Sequence, residues 1–173
     1  MSEELKRALE DCGAILYGDF TLASGKRSRY YIDIKRATTD PRTLGLIADL
    51  MAREIEGETF QRIAGVVLGS VPLAVALSLR TGVPFVMVRK ERKDHGTGKL
   101  IEGPLSPGER VLVVEDVITS ASSAMYAVET LRQAGAEVGT VLAVVDREEG
   151  GREALQRVGV GMRALITASH ILG

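Results

Sequence analysis

The chain has 173 residues, a length that fits one domain of ordinary size. Hydrophobic residues make up 45% and charged residues 26%, so a core can be filled, while a formal net charge of −1 and 4% aromatics without tryptophan argue against a general nucleic-acid binder or a base-stacking platform. A single cysteine, Cys12, excludes an internal disulfide; the charged start MSEELKRALEDCG has no signal-peptide core and no apolar run approaches the roughly 20 residues of a membrane helix, so a cytosolic protein is expected.

Residues 3–12 read as an amphipathic helix, with Leu5, Ala8, Leu9 and Cys12 on one face and Cys12 as a buried filler. Residues 14–34 carry short apolar runs around Gly18 and Ser24-Gly25, which predict hairpin-like extended segments. A helix then starts at Asp40, a good N-cap, with Pro41 at its first position and Leu44, Ala48, Met51 and Ile55 along one face. Ile63–Leu68 is a β-rich run followed by Gly69-Ser70. Pro72–Arg80 predicts a helix closed by Gly82, and Pro84–Val88 a buried strand. Residues 89–103 are polar and glycine-containing, hence a loop. Arg110–Asp116 predicts a third strand. Residues 123–134 predict a helix with Ala124, Val128, Leu131 and Ala134 inward and Gly135 ending it. A strand over Val138–Val145, a short helix near 151–157, a strand near 162–167 and a C-terminal turn complete the chain. Strands without polar alternation, separated by helices, predict an α/β fold with a mainly parallel sheet covered on both faces. Residues 1–40 read as an addition to that core, too short to bury much alone.

In an open parallel sheet, ligands gather at the carboxyl ends of the strands. Three segments lie there. In VLVVEDVITSASS, residues 111–123, Glu115 and Asp116 close an apolar strand and a hydroxyl-rich turn leads into a helix. Helix-start N–H groups attract anions, and Thr119, Ser120, Ser122 and Ser123 add hydroxyl donors, so a phosphate can sit on the turn while the acids face a neighbouring polyol. Without a ligand, the segment is simply a helix start after exposed acids. The run RKERKDHGTGK, residues 89–99, is strongly cationic and contains glycines, as suits a loop that closes over a polyphosphate or, more plainly, a solvated surface loop. Residues 67–72, VLGSVP, offer a second small-residue turn before a helix, whose backbone N–H groups suit a second anion unless it is a plain tight turn. No Walker GxxxxGK(S/T), no GxGxxG after a strand and no GxSxG elbow is present.

The strand-end segment VLVVEDVITSASS resembles the phosphoribosyl pyrophosphate (PRPP) motif of type I phosphoribosyltransferases. RKERKDHGTGKLIEG, residues 89–103, resembles the catalytic loop of orotate phosphoribosyltransferases. FTLASGKRSRYYID, residues 20–33, is similar to that family's N-terminal FxLxSGxxSxYYxD segment, and DREEGG, residues 146–151, to its DRxEGG segment. The resemblance implies the type I phosphoribosyltransferase fold as one domain over 1–173, with about 1–40 as an N-terminal hood contributing to the orotate pocket. It implies that Glu115 and Asp116 hold the ribose hydroxyls and that Thr119, Ser120, Ala121, Ser122 and Ser123 cradle the 5′-phosphate. It further implies that Arg89, Lys90, Lys93 and His95 engage the pyrophosphate, with Arg89, Lys93 and His95 catalytic, and that Thr119, Arg147, Tyr30 and Tyr31 bind orotate. Mg²⁺ is the implied cofactor, held by PRPP and water near Glu115 and Asp116 rather than by direct side-chain ligation. A homodimer sharing the catalytic loop is the implied assembly. The chain departs from the pattern at Ala23, where many bacterial members have an orotate-contacting lysine. It departs again at Gly69-Ser70-Val71, where many carry a lysine, and at TSASS, where glycines are usual. Two rivals remain: a phosphoribosyltransferase for a purine base, which would need no cation in the base pocket, and a PRPP-sensing regulator, which would carry a DNA-binding element.

Overall fold

Apolar runs between Arg62 and Thr167 assemble into a six-stranded sheet in the computed structural model, which describes residues 2–21, 25, 27–91 and 99–173. The strands are β3 (Arg62–Val66), β4 (Phe85–Val88), β5 (Ile101–Glu102), β6 (Arg110–Ile118), β7 (Glu137–Asp146) and β8 (Gly161–Thr167), in the order β5-β4-β3-β6-β7-β8. All neighbours are parallel except β5, which pairs antiparallel with β4 at the edge. Ahead of the sheet, β1 (Ile15–Thr21) and β2 (Arg27–Ile32) form the expected antiparallel hairpin.

Helices cover both faces, as the non-alternating strands require. One core joins Leu112, Val114, Leu142 and Val144 to α1 (Ser2–Asp11), α2 (Ile34–Thr38), α3 (Pro41–Glu54) and α4 (Val71–Thr81). The other joins Val111, Val113, Val141 and Ala143 to α5 (Ser122–Gln133) and α6 (Gly151–Arg157). A short α7 (Ala168–Leu172) stands where a terminal turn is expected. Leu5 and Leu9 are fully buried in the first core, each contributing roughly 1.5–3 kcal/mol by burial, so α1 is fastened to the sheet layer. Among the described residues no helix is long and apolar enough to cross a membrane.

Local signals act as read. The Asp40 carboxylate accepts the Thr43 N–H at 2.8 Å, and Pro41 opens α3. Gly82 ends α4 in the left-handed region. Several expectations need correction. Ala134 is exposed, because α5 stops at Gln133 and Ala134 is its C-cap. Cys12 is half-buried rather than buried, with its thiol donating to the Leu9 carbonyl at 3.5 Å. The 63–68 run ends as a strand at Val66; Leu68 is 76% exposed after a cis Val67–Leu68 bond. Part of the 89–103 loop is β5, whose two residues are too few to show a period.

Candidate active site

Strand β6 carries the acids deeper into the sheet than its apolar run suggests, since pairing with β7 continues through Glu115, Val117 and Ile118. Glu115 is only 5% exposed. One of its oxygens, Oε1, accepts a short hydrogen bond from the Ser70 hydroxyl and the Asp116 N–H at 3.2 Å. The other, Oε2, is buried with no partner among the described residues. Burial pushes the Glu115 carboxyl up to about 7; the Ser70 hydrogen bond opposes the rise and the adjacent Asp116 charge adds to it. An orphaned buried acceptor of this kind is costly unless a donor arrives, and a ligand hydroxyl is such a donor.

Ser70 belongs to the turn between β3 and α4, which is packed directly against the acids. A Cβ on Gly69 would sit 2.9 Å from Asp116 Oδ2, and one on Gly65 would sit 2.7 Å from the Ser70 carbonyl. Both positions therefore need glycine for close approach. The expected N–H cradle on this turn is only half available. Ser70 N–H and Val71 N–H donate to the Val66 and Leu68 carbonyls at 3.2 and 3.3 Å, whereas Leu68 and Gly69 N–H have no acceptor among the described residues. The turn, the acids, Ser123, Lys35 and Lys90 enclose a cleft of about 270 Å³.

After Ile118 the chain makes the hydroxyl turn. Ala121 takes φ 65° and ψ 19° as the α5 N-cap, a left-handed conformation that glycine adopts at no steric cost. The N–H groups of Thr119, Ser120 and Ala121 have no acceptor among the described residues, and the first turn of α5 adds its own open donors. Gly151 props the turn from behind: a Cβ there would come within 2.5 Å of the Thr119 carbonyl and 2.4 Å of Ile118 Cγ2. The second glycine of DREEGG thus buttresses the turn. Ser122 faces away, into an apolar hollow on the outer side of α5.

Arg147 follows β7 and donates its N–H to the Ile118 carbonyl at 2.9 Å, which places it beside Thr119. Its guanidinium lies 4.9 Å from the centre of the Tyr30 ring and 2.9 Å from Glu149 Oε1, with 9% of the side chain exposed. Tyr30 is 6% exposed; burial raises its hydroxyl and Arg147 works against that. Tyr31, on the opposite face of β2, is 43% exposed and stacks at 5.7 Å on Phe20, so Tyr30 alone reaches Arg147. The buried Asp146 holds this corner, accepting from Glu148 N–H at 2.8 Å and pairing with Arg152 at 3.1 Å.

The cationic loop is placed at its ends. Lys90 lines the cleft, while Arg89 turns to Glu102 at 3.5 Å and its Nε is buried without a partner among the described residues. Tyr126 of α5 donates to the Arg89 carbonyl at 2.9 Å. Lys93, His95 and Ala23 lie outside the described residues. A larger hollow of about 710 Å³ opens at the other end of the sheet, near Arg110 and Arg132, but both guanidinium groups there are tied to backbone carbonyls. Lys35 is a contributor for which the sequence carried no signal; Ser70, Asp146 and Gly151 stood inside segments the sequence singled out, but the side-chain contact of Ser70 with Glu115 and the supporting parts of Asp146 and Gly151 were not read there.

A parallel sheet whose central strand ends in an acid pair and an open N–H turn is the architecture of a phosphoribosyltransferase-class domain, and residues 35–160 match the family described as Phosphoribosyl transferase domain. The orotate phosphoribosyltransferase of Methanocella arvoryzae is 49% identical over 173 residues, covering 100% of this chain and 98% of that one. The crystal structure of orotate phosphoribosyltransferase from Aeropyrum pernix superposes with a TM-score of 0.87 at 42% identity, over 97% of this chain and 96% of that one. The Mycobacterium tuberculosis orotate phosphoribosyltransferase in complex with PRPP gives 0.83 at 33% identity, over 99% of both chains. This chain belongs to the orotate phosphoribosyltransferase family.

Proposed function

We propose that this chain transfers the 5-phosphoribosyl group of PRPP to N1 of orotate, giving orotidine 5′-monophosphate and pyrophosphate, in the de novo route to UMP. The observation that carries the reading is the joining of two subsites at one edge: the buried Glu115 and half-buried Asp116 beside an open N–H turn, and a buried cation, Arg147, one strand away. The first suits a sugar phosphate, the second a base that bears a carboxylate. The PRPP complex of the M. tuberculosis relative supports the donor. We read residues 1–173 as one catalytic domain with a hood over about 1–40, acting in the cytoplasm as a homodimer.

In the reaction the C1′–O bond to pyrophosphate breaks and a C1′–N1 bond forms. By analogy with glycoside cleavage the transition state resembles an oxocarbenium ion, with positive charge on the ribose and negative charge on the departing pyrophosphate. Glu115 and Asp116 orient the ribose hydroxyls; the orphaned Glu115 Oε2 is a ready acceptor for one of them. Thr119, Ser120, Ala121, Ser122 and Ser123 hold the 5′-phosphate, Ser122 through its backbone N–H alone. Thr119, Arg147 and Tyr30 form the orotate side, with Arg147 presenting its guanidinium to the carboxylate, while Tyr31, on the other face of β2, supports the strand that carries Tyr30. Orotate N1 arrives as an anion, so neither acid is assigned as a general base. Arg89, Lys90, Lys93 and His95 stabilise the leaving group. Mg²⁺ fits this donor set, because it keeps several waters and uses substrate phosphates with one or two carboxylates close by; when bound it neutralises pyrophosphate oxygens. The deciding assay mixes protein, PRPP, Mg²⁺ and orotate and follows loss of orotate absorbance, with adenine, hypoxanthine and uracil as controls. Turnover of a purine in preference to orotate, or of none, would reject the reading.

A further inference from the structure

We infer that Lys35, on the short helix of the hood, is the cation that holds the pyrophosphate of PRPP in place of a charged side chain on the Gly69–Val71 turn; the inference rests on the reaction assigned above. The turn cannot supply that charge itself. Gly69 has no room for a side chain against Asp116, the Ser70 side chain is 1% exposed and bound to Glu115, and Val71 is apolar. Two of the turn's N–H groups are also spent on its own carbonyls. A leaving group of high negative charge must then draw its cations from the other walls of the cleft.

Lys35 stands on one of those walls. It lines the same cleft as Gly69, Glu115, Asp116 and Lys90, so two ammonium groups and two carboxylates meet around one space. That arrangement suits a ligand that is polyol at one end and polyphosphate at the other. The Lys35 side chain is exposed and has no ion-pair partner among the described residues. Its backbone, by contrast, is fixed. Asp33 accepts its N–H at 3.2 Å, its carbonyl accepts the Thr39 hydroxyl at 2.7 Å, and Ile34 beside it is 2% exposed. A flexible charged arm on a rigid base reaches a phosphate without a large ordering cost. The adjacent cation cannot substitute, because the Arg36 guanidinium lies under Gly13, where a Cβ would come within 2.8 Å of it.

The test uses both directions of the reaction and a binding measurement. Lys35→Ala should raise the KM for pyrophosphate in the reverse reaction roughly 10- to 100-fold, the range of one lost charge-assisted hydrogen bond, and leave the KM for orotidine 5′-monophosphate within about twofold. Calorimetry with magnesium pyrophosphate alone should show the same loss, and Lys35→Arg should restore most of it. Unchanged pyrophosphate affinity in Lys35→Ala would overturn the inference. So would an equal weakening of the nucleotide, or a failure of arginine to rescue. Absence of orotate turnover by the wild-type protein would instead reject the assigned reaction, and the pyrophosphate titration still decides the role of Lys35.

Discussion

Replacing Glu115 by Gln should make the ligand-free protein more stable at alkaline pH while impairing its use of PRPP. The buried carboxyl titrates at about 7 in the fold against an ordinary 4.5. A folded-state value above the unfolded one means that the native state holds the proton more tightly. The neutral acid is therefore tolerated below pH 4.5, and stability is lost as pH rises from there through 7. Linkage makes the loss between pH 5.5 and 8.5 on the order of 2 kcal/mol. For a chain of this length that is a Tm change of roughly 4–8 °C. Glutamine keeps the shape and an acceptor for Ser70 but does not ionise. The gap between the Tm curves of wild type and Glu115→Gln should therefore widen with pH by that amount, other titrations cancelling in the difference. A gap constant from pH 5.5 to 8.5 would show that Glu115 is not the desolvated group the geometry makes it. In parallel, the KM for PRPP of the variant should rise, because a neutral amide accepts the ribose hydroxyls less strongly.

Arg147→Ala should raise the KM for orotate by about 10²-fold, or about 2.7 kcal/mol, with the KM for PRPP nearly unchanged; equal loss on both substrates would place Arg147 outside the base pocket. Gly151→Ala should destabilise by roughly 1–3 kcal/mol through overpacking on Thr119 and Ile118 and weaken PRPP more than orotate, measured by thermal melts and steady-state kinetics. Lys93→Ala should lower kcat by about 10²–10³-fold, more than it raises the KM for orotate, and a change under twofold would remove Lys93 from the mechanism.

What the sequence discloses follows from how locally each feature is encoded. The α3 start is written in two adjacent residues, Asp40 and Pro41, and the α4 end in one, Gly82. The faces of β6 and β7 are written in continuous apolar runs. Strand β5 has no such text, because its two residues are strand only by virtue of β4 beside them. Strand β6 runs on to Ile118 because β7 keeps pairing with it, although the charges of Glu115 and Asp116 mark an end by composition. Ala134 fits an inward period, but the helix has already closed at that point, and periodicity carries no information past a cap.

The site divides along the same line. Groups that meet ligand stand in short motifs, since one strand end and one turn must present them together; Glu115, Asp116 and the 119–123 turn are legible for that reason. Groups that hold those groups in place come from anywhere in the chain. Ser70 reaches Glu115 across 45 positions, and Gly151 supports Thr119 from the far end of a different motif. The alanine at 121 shows how the two kinds interact. A left-handed alanine stands in this turn at a cost of about 1–2 kcal/mol relative to glycine. Its methyl is buried, and a Cβ on Gly151 would lie only 3.3 Å from it. Gly151 thus leaves the room that the Ile118 side chain, the Thr119 carbonyl and the Ala121 methyl share, so a residue of one motif sets the space available to another.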